Sequence, residues 1–131
     1  EVTKIVATAR NQTKADTTKS SLMKDTGKDG SFFDTVVVDF NDLQSIQEAV
    51  MSFPAFDRIL LNAGGLGTGE MHVSGNGITD SMVINTIGNA VFVDSLIKAG
   101  KISKGTRVCW VGSEVSRTLW SFSGLLPDYC G

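Results

Sequence analysis

A chain of 131 residues has room for one domain or part of one, and its 41% hydrophobic and 20% charged content excludes the apolar-poor, highly charged composition of disorder. Twelve basic against fourteen acidic side chains leave a formal net charge of -2, so no positive field draws the chain to nucleic acid or an anionic membrane. Cys109 and Cys130 are too few and too widely spaced for a disulfide framework or a zinc site, which fits a reduced, cytoplasmic compartment. No apolar run approaches the roughly 18 residues of a membrane span. The start at Glu1, strand-like and without a methionine, leaves a targeting sequence upstream open.

Short β-branched runs alternate with segments of helical character from end to end, the pattern of a parallel α/β sheet. Val2 to Ala9 reads as a strand, and the polar stretch from Asn11 to Gly30 offers a helix only Ala15, Leu22 and Met23 to bury. Phe33 to Asp39 follows, where Val36, Val37 and Val38 form the unbroken apolar run of a strand covered on both faces. Asp42 is placed to cap a helix whose Leu43, Ile46, Ala49 and Val50 recur at helical spacing, ending before Pro54. A third strand, Arg58 to Asn62, stops at the glycine-rich stretch Ala63 to Gly69. The spacing of Ile78, Met82, Ile87, Ala90, Val91 and Leu96 predicts the longest helix over 79–99, with Gly100 at its end. A fourth strand, Thr106 to Val111, runs into Gly112 and Ser113, and Cys109 is expected to be a small core residue within it.

In open α/β sheets ligands bind outside the carboxyl ends of the strands. Here those ends carry Arg10 and Asn11, then Asp39, then Asn62-Ala63-Gly64-Gly65, then Gly112-Ser113-Glu114. Gly64, Gly65, Gly67 and Gly69 fit neither glycine fingerprint for a phosphate loop, and no helix opens directly behind them. His72, the single histidine, has no second ligand-type residue at metal spacing, so no metal site is expected. Glu114, Arg117 and Trp120 stand where a substrate pocket could border them, without a pattern that assigns them a role.

Taken in order, these residues resemble the short-chain dehydrogenase/reductase family. Asn62-Ala63-Gly64 matches the last three residues of its N-N-A-G motif, with Leu61 in the first position. Asn85-Thr86-Ile87-Gly88 resembles its N-x-x-G on the fourth helix, and Arg107 to Ser113 its fifth strand with the active-site serine. No T-G-x-x-x-G-x-G precedes the first strand. No Y-x-x-x-K follows the serine: Tyr129 lies sixteen residues beyond Ser113, but the sequence stops at Gly131 before a lysine can follow.

The resemblance implies an incomplete, Rossmann-like, doubly wound parallel sheet over residues 1–131, a partial NAD(P)-binding domain whose first strand is missing. It implies part of an oxidoreductase that moves hydride between NADP(H), with NAD possible, and a carbonyl or alcohol substrate. Arg10 would hold the 2′-phosphate, because no carboxylate stands at that strand end to favour a free ribose hydroxyl; the competing reading is a solvated arginine. Asp39 would meet the adenine amino group with Phe40 beside the ring, or else serve a strand-end turn. Asn62, Ala63 and Gly64 would bring backbone close to the cofactor ribose, where only small side chains fit. Asn85 would support a proton-relay water, and Ser113 would hydrogen-bond the substrate carbonyl. The rival from another class is a non-catalytic, Rossmann-like binding or interaction module. The family's strand order resembles 3-2-1-4-5, so the missing strand belongs between Val2–Ala9 and Arg58–Asn62. The two halves are therefore expected either to stand apart by the width of a strand or to close directly onto each other, with bare edges that leave the isolated chain marginal.

Overall fold

The computed structural model describes residues 2–65 and 77–112. Strand β1 (Ile5–Ala9) passes directly into α1 (Gln12–Thr26), because the Asn11 side chain accepts a hydrogen bond from the Lys14 amide at 2.9 Å and satisfies one of the free donors of the first turn. Gly27, at φ 68°, ends the helix in a left-handed conformation, its N–H donating to Met23 O at 3.0 Å. Of the three residues expected to bury here only Ala15 is fully enclosed, while Leu22 is half-buried and Met23 is exposed. A 3-10 turn, Gly30–Phe32, leads into β2 (Phe33–Val37). Asp42 then caps α2 (Leu43–Val50), its carboxylate accepting from the amides of Gln44 and Ser45 at 2.9 and 3.2 Å. Beyond β3 (Arg58–Leu61) come a short helix α3 (Asp80–Met82), a π turn (Val83–Ile87), α4 (Gly88–Lys98) and β4 (Arg107–Trp110).

Each strand is shorter than its apolar run. β1 starts at Ile5 instead of Val2, β2 ends at Val37 instead of Asp39, and β3 ends at Leu61 instead of Asn62. Pairing with a neighbour sets a strand's bounds, whereas apolarity reports only burial. Val38 and Phe40 lie past the end of β2 and are nevertheless core residues.

The long helix departs from the expected period in a way that matters for the site. Its most deeply buried residues are Val83, Gly88, Asn89, Phe92 and Leu96, whereas Met82 and Ala90, expected on the buried stripe, are exposed. The π turn accounts for this. Gly88 N–H donates to Val83 O, one residue further back than in an α-helix, so the stripe steps by five from 83 to 88 and by four thereafter.

β1 pairs with β2 in parallel from Ile5↔Phe33 to Ala9↔Val37, and β3 pairs with β4 in parallel from Arg58↔Arg107 to Leu61↔Trp110. The two pairs share no ladder. They share a helical layer instead: Phe92 of α4 meets Phe40 and Phe53 edge-on at centroid distances of 5.4 and 5.5 Å, and Val38, Ile46, Val50, Leu61 and Leu96 complete the cluster. The carboxyl ends of β2 and β3 both meet the start of α4, through Phe40 O beside Gly88 and Ala63 O beside Asn89, so the two sheets point the same way. Between the facing edges of β1 and β3 lies a cavity of about 1290 Å³. Of the two arrangements anticipated from the strand order, the halves standing apart is the one observed.

Two measurements test this packing. A Cβ on Gly88 would lie 2.4 Å from Phe40 O, a backbone atom anchored in the core that cannot swing aside. Gly88→Ala is therefore expected to destabilise the fold by about 1–3 kcal/mol despite alanine's better helix propensity, as read by the shift of a denaturant midpoint. At the other end of the sheet Lys4 Nζ stands 2.6 Å from Asp34 Oδ2, and that bond holds the Asp34 carboxyl below the ordinary aspartate value. A lowered folded-state value stabilises the fold above the unfolded pKa and ceases to do so as pH falls through the lowered one. An NMR titration should place the Asp34 midpoint below that of an unpaired aspartate, and Lys4→Met should raise it.

Candidate functional site

Because all four strands point one way, their carboxyl ends gather at one rim of the molecule. Arg10 leaves β1 there as an exposed residue between the strand and the cap of α1. Val38 N–H donates to Ala9 O at 2.8 Å, which keeps the exit of β2 beside that of β1 and brings Asp39 into the same region. Asn62, Ala63, Gly64 and Gly65 leave β3, and Gly112 follows β4.

The loop after β3 is held by two asparagines of the helical segment. Asn85 Oδ1 accepts from Gly65 N–H at 2.8 Å while its Nδ2 donates to Gly65 O at 2.8 Å, so one side chain pairs with the backbone as a neighbouring strand would. Nδ2 also donates to Ser81 Oγ at 3.1 Å. This close approach explains the glycine before it: a Cβ on Gly64 would stand 2.6 Å from Asn85 Oδ1. Asn89, fully buried, donates from Nδ2 to Ala63 O and Ile84 O, each at 3.1 Å, and to Asn85 O at 3.4 Å. Reading the sequence at an α-helical period missed Asn89. No local signal marks it, because the five-residue step from Val83 to Gly88 that brings position 89 to the buried side comes from the π turn.

Asp39 is half-buried, and its local bonds are those of a turn: Oδ1 accepts from Asn41 N–H at 2.9 Å, and its own N–H donates to Ser45 Oγ at 3.2 Å. Phe40 is 7% exposed and packs on Phe92, which places its ring inside the core and not on the rim. Cys109 also departs from expectation. It is exposed, because it shares a sheet face with Leu60, itself 67% exposed, while the core-facing side of β3 carries Ile59 and Leu61. Ser113, Glu114, Arg117, Trp120, Tyr129 and Cys130 lie outside the described residues, as do Gly67, Gly69 and His72. Among the described residues no group of three His, Cys, Asp or Glu side chains could hold a metal ion, and no helix is long and apolar enough to cross a membrane.

No protein-family profile matches the chain, and neither does any curated protein. Solved structures do. The chain is similar to a double mutant of a short-chain dehydrogenase/reductase from Serratia marcescens, with a TM-score of 0.57 and 21% identity over 80% of this chain and 43% of that one. It is similar also to a protein described as a short-chain alcohol dehydrogenase from Burkholderia multivorans, with a TM-score of 0.53 and 21% identity over 80% of this chain and 48% of that one. The chain thus has an incomplete, Rossmann-like α/β fold shared with short-chain dehydrogenases/reductases. It spans less than half the length of either neighbour.

The Asn85 clamp is open to a double-mutant cycle. Gly64→Ala should cost about 1–2 kcal/mol, because the Asn85 amide that it strikes is tied at both ends and cannot rotate away. In an Asn85→Ala background the same substitution should cost much less, giving a coupling of at least 0.5 kcal/mol in urea melts.

Proposed function

We propose that the chain is the cofactor-binding part of an oxidoreductase that moves hydride between NADP(H) and a carbonyl or alcohol substrate. The observation that carries this reading is the convergence of Arg10, Asp39 and the Asn62–Gly64 backbone on one rim of a Rossmann-like fold, where open α/β sheets bind ligands. The exposed guanidinium of Arg10 suits a 2′-phosphate through charge-assisted donors, and the bond to Asn41 engages only one of the Asp39 oxygens, leaving acceptor capacity for an adenine amino group. Asn62, Ala63 and Gly64 fit the ribose side of such a ligand, because the loop is thin and fixed from behind by Asn85 and Asn89. Phe40 has no part in that fit, since its ring is enclosed.

When bound, the nicotinamide supplies the hydride. The chain's own contribution is positioning. Asn85 acts through the loop it holds by its bonds to Gly65 and Ser81, and its Oδ1, which accepts only from Gly65 N–H, keeps acceptor capacity for a relay water. Ser113 is assigned a hydrogen bond to the substrate carbonyl, in the role of an oxyanion donor. The 131 residues contain no tyrosine and lysine in Y-x-x-x-K spacing, so this chain by itself is expected to show no dehydrogenase turnover.

In the protein that carries this chain, Arg10→Ala should weaken NADPH far more than NADH, by about tenfold to a hundredfold, the equivalent of roughly 1.5–3 kcal/mol for a hydrogen-bonded charge. Calorimetric titration with each cofactor makes the comparison. Equal losses for both would remove Arg10 from the site, and failure of the unsubstituted protein to bind either would favour a non-catalytic binding module.

A further inference from the structure

The π turn and α4 are joined out of step, and one side chain sits on the joint. Gly88 N–H donates to Val83 O, five residues back, whereas α4 beyond it has the four-residue step of an ordinary helix. A return from five to four passes over one carbonyl, which must find a donor elsewhere. With Val83 O taken by Gly88, the step falls on Ile84 O and Asn85 O, and both accept from Asn89 Nδ2, at 3.1 and 3.4 Å. The third bond of the same amide, to Ala63 O at 3.1 Å, ties the turn to the loop after β3. Asn89 is 0% exposed, and its Oδ1 has no partner among the described residues. A buried acceptor left unmet is unfavourable, so what the amide contributes at this position is its donors.

The alternative to this joint is an unbroken α-helix, in which Gly88 N–H would reach Ile84 O and no carbonyl of the turn would be left over for Asn89. Each residue of an α-helix turns by about 100°, so closing the step would rotate everything before Gly88 by that amount against α4. The α4 side is pinned by Gly88 against Phe40 O and by Phe92 in the core, so the segment before it is the part that moves. Asn85 would then swing off Gly65, with which it now exchanges two bonds of 2.8 Å. We propose that Asn89 is a positioning residue that holds the helix in its π phase and thereby sets Asn85 against the loop. Its bearing on the cofactor rests on the NADP(H) reading of the rim, whereas its hold on the helix phase does not.

Thr86, exposed within the π turn, supplies the test. Deleting it shortens the step from Val83 to Gly88 to four residues, so the same bond becomes an ordinary α-helical one and Asn85 keeps its place. NMR on the full 131-residue chain reads the clamp through the hydrogen-bond scalar coupling between Gly65 N and Asn85 Cγ, and the fold through exchange protection from Phe92 to Leu96. Asn89→Leu should leave Phe92 to Leu96 protected, abolish the coupling and speed Gly65 exchange by about tenfold, the loss of one hydrogen bond. Deletion of Thr86 should preserve the coupling, and the deletion combined with Asn89→Leu should restore it. A role confined to packing or to the Ala63 bond gives no such rescue. If Asn89→Leu does not fold, adding the deletion should restore both fold and coupling. A coupling that survives Asn89→Leu, or one that the deletion fails to restore, would overturn the proposal. If the deletion alone does not fold, Asn89→Ser and Asn89→Ala decide: the serine hydroxyl can donate to Asn85 O four residues back and should keep more of the coupling than alanine, and equal loss overturns the proposal. NADPH titration of the same variants in the protein that carries this chain separates the two readings. Couplings that behave as expected with unchanged NADPH affinity would uphold the role of Asn89 and remove the loop from the cofactor site.

Discussion

Much of this structure depends on the seat of α4 against the ends of β2 and β3. Gly88 lies so close to the Phe40 carbonyl that no side chain fits between them, and one residue later Asn89 binds the Ala63 carbonyl. Together these contacts hold the two strand pairs in one orientation without any ladder between them. The π turn before Gly88 makes both possible, because it advances the helix by one residue and brings Val83, Gly88, Phe92 and Leu96 to the same side.

Stability is consequently distributed unevenly. The helical layer has a continuous aromatic and aliphatic core around Phe40, Phe53 and Phe92, whereas the sheet is interrupted at its centre. Side chains on the α2–α4 side are enclosed, and those on the opposite face of β3 and β4, such as Leu60 and Cys109, are exposed. Among the described residues the backbone groups on the bare edges have no strand partner, and such edges invite pairing with other chains. The same interruption leaves the cavity of about 1290 Å³ between β1 and β3.

The rim where the strands end inherits its order from the same helix. Asn85 fixes Gly65, and Asn89 fixes Ala63, so a loop that would otherwise be a free turn is tied at two points to a helix seated in the core. Polar residues at strand ends are commonplace; here the loop that carries Asn62 to Gly65 is held in place by a buried amide and a clamped glycine. Asp39 shows both aspects in one residue, since it builds its own turn and still stands beside the exit of β1.

The alternation of strands and helices, the cap at Asp42 and the helix-ending glycine at 100 were legible in the sequence, because each depends on neighbours a few positions away. So was the order of polar residues at the strand ends, which follows once the strands are recognised. Tertiary contacts decided the rest. The apolar runs did not reveal where strands stop, since pairing sets that, nor that Phe40 turns inward, since only its approach to Phe92 puts it there. Nothing local distinguishes a π turn from an α-helical one, so Met82 and Ala90 were placed on the buried stripe and Asn89 was overlooked. The chain alone thus determined which elements form and in what order, through local hydrogen bonding and periodicity. Only packing decided their phase and that the two halves stand apart instead of closing onto each other, because both depend on contacts between residues remote in sequence.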